Sequence, residues 1–101
     1  MIDTRLITAK QDAKAAAAAL NDGDRACAKA CLDDARTALC ELIDEGPHMK
    51  AGDRFDLGRD YRSLCRALQS LHDNPGSHIG VIDICDRVTG SLSRLADRWT
   101  T

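Results

Sequence analysis

The sequence predicts an all-α fold, an antiparallel up-down four-helix bundle made of two helical hairpins. Three observations predict it. Ala and Leu, the strongest helix formers, number 15 and 11, against one Phe, one Tyr and one Trp. Apolar residues recur in alternating steps of four and three, which puts one apolar seam along each helix. Three clusters of Gly, Pro, Asn and Asp divide the chain into four stretches of helical length. They are Asn21-Asp22-Gly23, the segment Gly46 to Asp56, and Asp73-Asn74-Pro75-Gly76.

The first stretch carries Ile2, Leu6, Ala9, Ala13, Ala16 and Leu20 at this spacing. The second carries Ala28, Leu32, Ala35, Leu39 and Leu42, and Asp24 offers an oxygen to cap its free amides. The third carries Leu57, Tyr61, Leu64, Leu68 and Leu71, capped by Asp56. The fourth carries Val81, Cys85, Val88, Leu92, Leu95 and Trp99, capped by Ser77. Helices are therefore expected over 3–20, 25–44, 57–72 and 78–98. Short first and third turns make each consecutive pair a hairpin. Ala-rich seams in the first two helices let their backbones approach closely. Leu, Tyr and Trp in the last two must fill more volume.

The 101 residues fit one domain, with a hairpin over 1–45, a linker over 46–56 and a hairpin over 57–99. A linker of this length exceeds the usual ~2–8 residues between bundle helices. With 44% hydrophobic residues and only 2 Pro, the chain is expected to fold. A net charge of -2 argues against a protein that coats nucleic acid. No apolar run reaches the ~18 residues that span a membrane, and Met1-Ile2-Asp3-Thr4-Arg5, which lacks a basic stretch before a long apolar one, is not expected to act as a secretory signal. Five cysteines without such a signal point to free thiols in a reducing cytoplasm. The Arg and Ala excess suggests a GC-rich genome, bacterial or phage.

Cysteine offers the first candidate chemistry. Cys27 and Cys31 lie one helical turn apart, so two thiolates could hold Cu(I) or Zn, with Cys65 or Cys85 as further ligands. The stretch Cys27-Ala28-Lys29-Ala30-Cys31 resembles the Cys-x-x-x-Cys helices of bundle-type copper storage proteins. That family carries many more cysteines, all pointing into the bundle. Here only Cys85 falls on a seam, Cys31 and Cys65 flank seams, and Cys27 and Cys40 face outward. The simpler role is a small core and boundary hydrophobe, so the expectation is no cofactor.

His48, His72 and His78 form no i, i+3 or i, i+4 pair for a metal, although His72 and His78 could meet across their turn. There is no Gly-rich phosphate loop and no nucleophile elbow, so a non-enzymatic protein is expected. Arg59, Arg62 and Arg66 form a stripe on the outer face of the third helix, opposite Leu57, Leu64 and Leu71. Residues 51–101 hold seven basic and seven acidic side chains, with no aromatic interleaving for base stacking. An acidic protein surface fits this stripe better than nucleic acid.

The fourth helix opens with surplus apolar residues. Ile79, Val81, Ile82, Ile84 and Cys85 spread round most of its circumference, more than one seam can hide. Ile79, Ile82 and Ile84 are expected to form an exposed patch with Arg87 and Arg94 as a polar rim. The competing expectation is that the linker folds over them, with Phe55 as the cover. The functional expectation is a small cytoplasmic protein-interaction module, an adaptor, inhibitor or regulatory subunit, binding a protein partner or a second copy of itself.

Overall fold

The structure is a computed structural model that describes residues 3–45, 49–73 and 78–100. Among these it holds four helices: α1 over Thr4–Asn21, α2 over Arg25–Glu45, α3 over Ala51–Asp73 and α4 over His78–Thr100. They pack as a closed ring. α1 touches α2 and α4, α3 touches α2 and α4, and neither diagonal pair packs directly.

Each visible helix start has a local cause. Asp3 caps α1, accepting from the Arg5 amide at 2.9 Å. The same carboxylate holds the Arg5 guanidinium in a fork at 3.0 and 2.8 Å, which keeps its carboxyl below the usual range. Asp24 caps α2 as expected, accepting from the Cys27 amide at 3.0 Å. Between these helices Gly23 adopts φ +78°, where a side chain would be strained. Its amide and that of Asp24 then reach back to the Leu20 and Ala19 carbonyls.

The third helix departs from expectation. It opens at Ala51 rather than 57, so Phe55 and Asp56 are helical and Asp56 is not its cap. The Arg54 amide already donates to the Lys50 carbonyl at 3.0 Å. Gly52 lies exposed in the first turn, where glycine costs a helix least in lost packing. The linker cluster Gly46-Pro47-His48 and the proposed cap Ser77 lie outside the described residues.

Every described seam residue of α1 and α2 is buried, from Leu6 to Leu20 and from Ala28 to Leu42. In α4, Val81, Cys85, Val88, Leu92 and Leu95 are buried and Trp99 is half-buried. In α3 the register is corrected. Leu57, Leu64 and Leu71 are buried, but Tyr61 and Leu68 only pack against the core from its edge. Asp60 and Ala67 take the intervening buried positions. Both registers share the three leucines and step by three and four, so counting apolar residues favours the one without an aspartate.

Polar contacts join the helix ends. Arg5 at the start of α1 donates to the Glu41 carbonyl near the end of α2. Arg25 at the start of α2 donates to the Leu71 carbonyl near the end of α3. Asp53 at the start of α3 accepts from the Trp99 indole at 3.0 Å and from Arg98 at 3.0 Å near the end of α4. The Trp99 bond, with Arg98 adding to it, holds the Asp53 carboxyl below its usual range.

Leu64 and Leu92 are both fully buried. Leu64→Ala and Leu92→Ala should each cost roughly 2–5 kcal/mol through lost burial and a residual cavity. Urea unfolding with unchanged slopes would measure this. A near-zero loss at both positions would mean that the seams are misassigned.

Candidate functional site in the groove between α3 and α4

The Ala-lined seams bring α1 and α2 into the most extensive contact of the four neighbouring pairs, and α3 with α4 makes the least. A groove of about 450 Å³ runs along this looser junction. Arg59 and Arg66 come from α3, and Arg87 and Arg94 from α4. Ile84 and Val88 supply apolar wall, and Gly90 leaves part of it bare.

The arginines reach one groove because of their register. Arg59 and Arg66 are seven residues apart, as are Arg87 and Arg94, so each pair repeats on one helix flank. Arg62 lies on the exposed face of α3 outside the groove, beside Gly58. The expected stripe is therefore split, with two of its three members in the groove.

Asp60 and Ser91 form the groove's buried polar pair. Asp60 is 4% exposed, and its Oδ2 accepts from the Ser91 hydroxyl at 2.6 Å. Arg59 Nη2 donates to the same hydroxyl at 3.3 Å, and its Nε stands 3.9 Å from Asp60 Oδ1. Burial pushes the Asp60 carboxyl above its usual range, and the Ser91 bond and the Arg59 charge oppose that rise without cancelling it. Among the charges acting on Asp60, Arg94 from α4 and Arg59 favour the ionised form, and Asp56 opposes it.

Arg59 also stands 3.6 Å from Asp56, and Arg87 stands 3.5 Å from Asp83 one turn before it. The Arg87 pair is exposed and the Arg59 pair partly so, and such pairs hold weakly and are easily exchanged for a ligand. Guanidinium forks and the Ser63 hydroxyl together offer hydrogen-bond donors to an oxyanion. The chemistry on offer is recognition of carboxylate or phosphate oxygen. A second groove of about 330 Å³, between α1 and α2, is lined by Asp12, Asp34 and Glu41 with only Arg5 in opposition.

The isoleucines of α4 do not form the expected patch. Ile79 is 86% exposed, but Ile82 and Ile84 are half-buried against the core. Two residues apart, these two lie about 200° apart round the helix. Ile84 faces the α3 groove, and Ile82 lies on the opposite flank. Phe55 is 65% exposed and Ile79 is almost bare, so Phe55 does not cover it.

The cysteines are dispersed. Cys85 is buried and Cys27 exposed, as expected, with Cys31 and Cys65 half-buried. Cys40 is half-buried rather than outward-facing, and its thiol points at the Asp44 carboxylate at 3.7 Å. Among the described residues no three His, Cys, Asp or Glu side chains gather as metal ligands. Cys27 and Cys31 do meet. Burial first, then the bond with Cys27, pushes the Cys31 thiol up to about 11, which keeps it protonated at neutral pH. His72 is exposed and His78 half-buried, and the proposed meeting of the two spans residues outside those described.

Asp60 was legible only as an aspartate three residues after Leu57 and four before Leu64. Ser91 has the same relation to Val88 and Leu95. Two polar residues at these flanking heptad positions, on helices expected to be neighbours, are the signal that could have found the pair. Comparison with protein-family models, with curated proteins and with solved structures gives no match to this chain.

The thiols should react in the order of their exposure, Cys27 first and Cys85 last. Burial also pushes the Cys85 thiol up to about 11, which adds to its protection. Mass spectrometry after a brief alkylation would read this order, and early labelling of Cys85 would mean α4 is rotated.

Asp60 gives a pH dependence of known sign. Its carboxyl is raised in the folded chain relative to ~3.9 unfolded. Its contribution to stability is therefore complete below ~3.9 and is lost as pH rises through the folded value. The melting temperature of Asp60→Asn relative to wild type should therefore rise with pH across that window. A difference that ignores pH would show that Asp60 titrates alike in both states.

Proposed function

We propose that this chain is a small cytoplasmic protein-interaction module, an adaptor, inhibitor or regulatory subunit, whose α3/α4 face takes an acidic segment of a protein partner. The observation that carries this reading is the convergence of Arg59, Arg66, Arg87 and Arg94, from two helices, on one groove. Arginine is suited to such a role because its planar fork binds carboxylates through paired hydrogen bonds. Ile84 in the wall gives the partner apolar contact beside its charges. Ile79, left in water at the start of the same helix, is the outlying apolar contact.

The scaffold we propose is the antiparallel, up-down arrangement of two hairpins. It is supported by the bonds that join the start of each of the first three helices to the end of a neighbour. No helix among the described residues is long and apolar enough to cross a membrane. Nucleic acid fits the face less well, because acidic residues are interleaved with the arginines throughout α3 and α4.

Charge reversal tests the reading. Arg87→Glu with Arg94→Glu should leave the circular dichroism spectrum and thermal midpoint close to wild type, since rim charges contribute little to stability. Titration calorimetry with an acetylated hexaglutamate peptide should show wild-type binding that weakens with salt, and at least a tenfold loss in the double variant. Equal binding by both proteins would sink the proposal. Ile79→Asp should leave folding unchanged, and sedimentation analysis of that variant tests self-association through α4.

A further inference from the structure

The acid on the floor of this groove bears on what the arginines can do. A partner carboxylate that enters the groove meets Asp60, a like charge, beside the same guanidiniums. Asp60 is 96% covered by the protein, and the charges bearing on it come from two elements. Arg59 and Asp56 stand on α3, and Arg94 on α4. Asp86 lines the groove from α4. The other flank of α3 packs on α2, whose buried Leu39 and Leu42 bring no charge.

Two outcomes are open when the second carboxylate arrives. If Asp60 stays ionised, it competes for Arg59 and Arg94 and repels the newcomer. If it takes a proton, both guanidiniums turn to the ligand. The neutral acid gives up the Arg59 contact but keeps its bond to Ser91. Ser91 donates to the carboxylate at 2.6 Å, and a protonated Asp60 can instead donate to Ser91 across the same distance. Two carboxyls that share one site do not both ionise freely, and they titrate as a pair.

We propose, on the reading that this groove is the partner site, that a carboxylate of an acidic peptide seats on Arg59 and Arg94 and that Asp60 takes up one proton as it does. The proton comes from solvent and forms an O–H bond on Asp60, and the peptide carboxylate replaces the lost negative charge. Capture of the partner is thereby tied to pH. Affinity falls as pH rises through the titration of Asp60, approaching tenfold per pH unit for one linked proton.

The test is calorimetry of the full chain with acetylated hexaglutamate between pH 5.5 and 8, where the peptide remains largely ionised. Each titration is run in two buffers of different ionisation enthalpy, which counts protons taken up. Wild type should take up protons, approaching one per peptide, and bind more weakly as pH rises. Asp60→Asn should bind with a flat pH profile and without that uptake, which also separates Asp60 from the three histidines. Should Asp60→Asn fail to fold, the carboxyl resonance of Asp60 in wild type, followed by NMR with and without peptide, must move its titration upward on binding. Peptide binding without proton uptake, or with the same pH profile in Asp60→Asn, overturns the proton linkage and leaves the site standing. Absence of peptide binding at every pH, or binding that survives Arg59→Glu with Arg94→Glu, overturns both.

Discussion

Four narrow apolar stripes have to close on one another, and most of this structure follows from that. A seam of heptad spacing covers only a fraction of a helix's circumference. Two neighbours suffice to hide it, and a ring of four satisfies every helix at once. The residues flanking each seam then sit at the junctions between neighbours, half in and half out. Ile82, Ile84, Tyr61, Leu68 and Cys31 all occupy such places.

Side-chain volume sets how tightly each junction closes. Ala9, Ala13, Ala16, Ala28 and Ala35 are buried where α1 meets α2, and short side chains let the backbones come close. The residues of α3 and α4 are bulkier, and their flanks stand apart. The groove with its arginines lies on that side. The same difference in bulk that shapes the core thus leaves the roomier of the two grooves on the α3/α4 side.

Asp60 and Ser91 are the costly element in this arrangement. A buried carboxyl loses hydration, and one hydroxyl bond with partly exposed guanidiniums does not restore it in full. An alanine at 60 would match Ala67 one heptad later and would complete an apolar seam. Instead the chain places an ionisable group where it faces both the core and the groove. Under the proton linkage proposed for the groove, that placement would tie the stability of the bundle to partner capture, because both act on the same proton.

Periodicity and turn residues in the sequence were enough to specify four helices and the inward faces of α1, α2 and α4. These features act over one or two helical turns, which a linear pattern records. They misplaced two of the five α3 seam positions, Tyr61 and Leu68, because the rule counts apolar residues and Asp60 is not one. They also delayed the start of α3, because Gly52, Asp53 and Asp56 suit a turn as well as a first helical turn. The arginines were visible as a stripe, but a stripe has no width. Which of them converge depends on the rotation of α3 against α4, and that is settled only when Ala67 and Asp60 pack inward together. The exposure of Ile79 and the partial burial of Ile82 and Ile84 were settled in the same way, by how far neighbouring helices reach round α4. Local propensity belongs to the chain alone, whereas a groove belongs to two helices at once, and only their packing brings it into being.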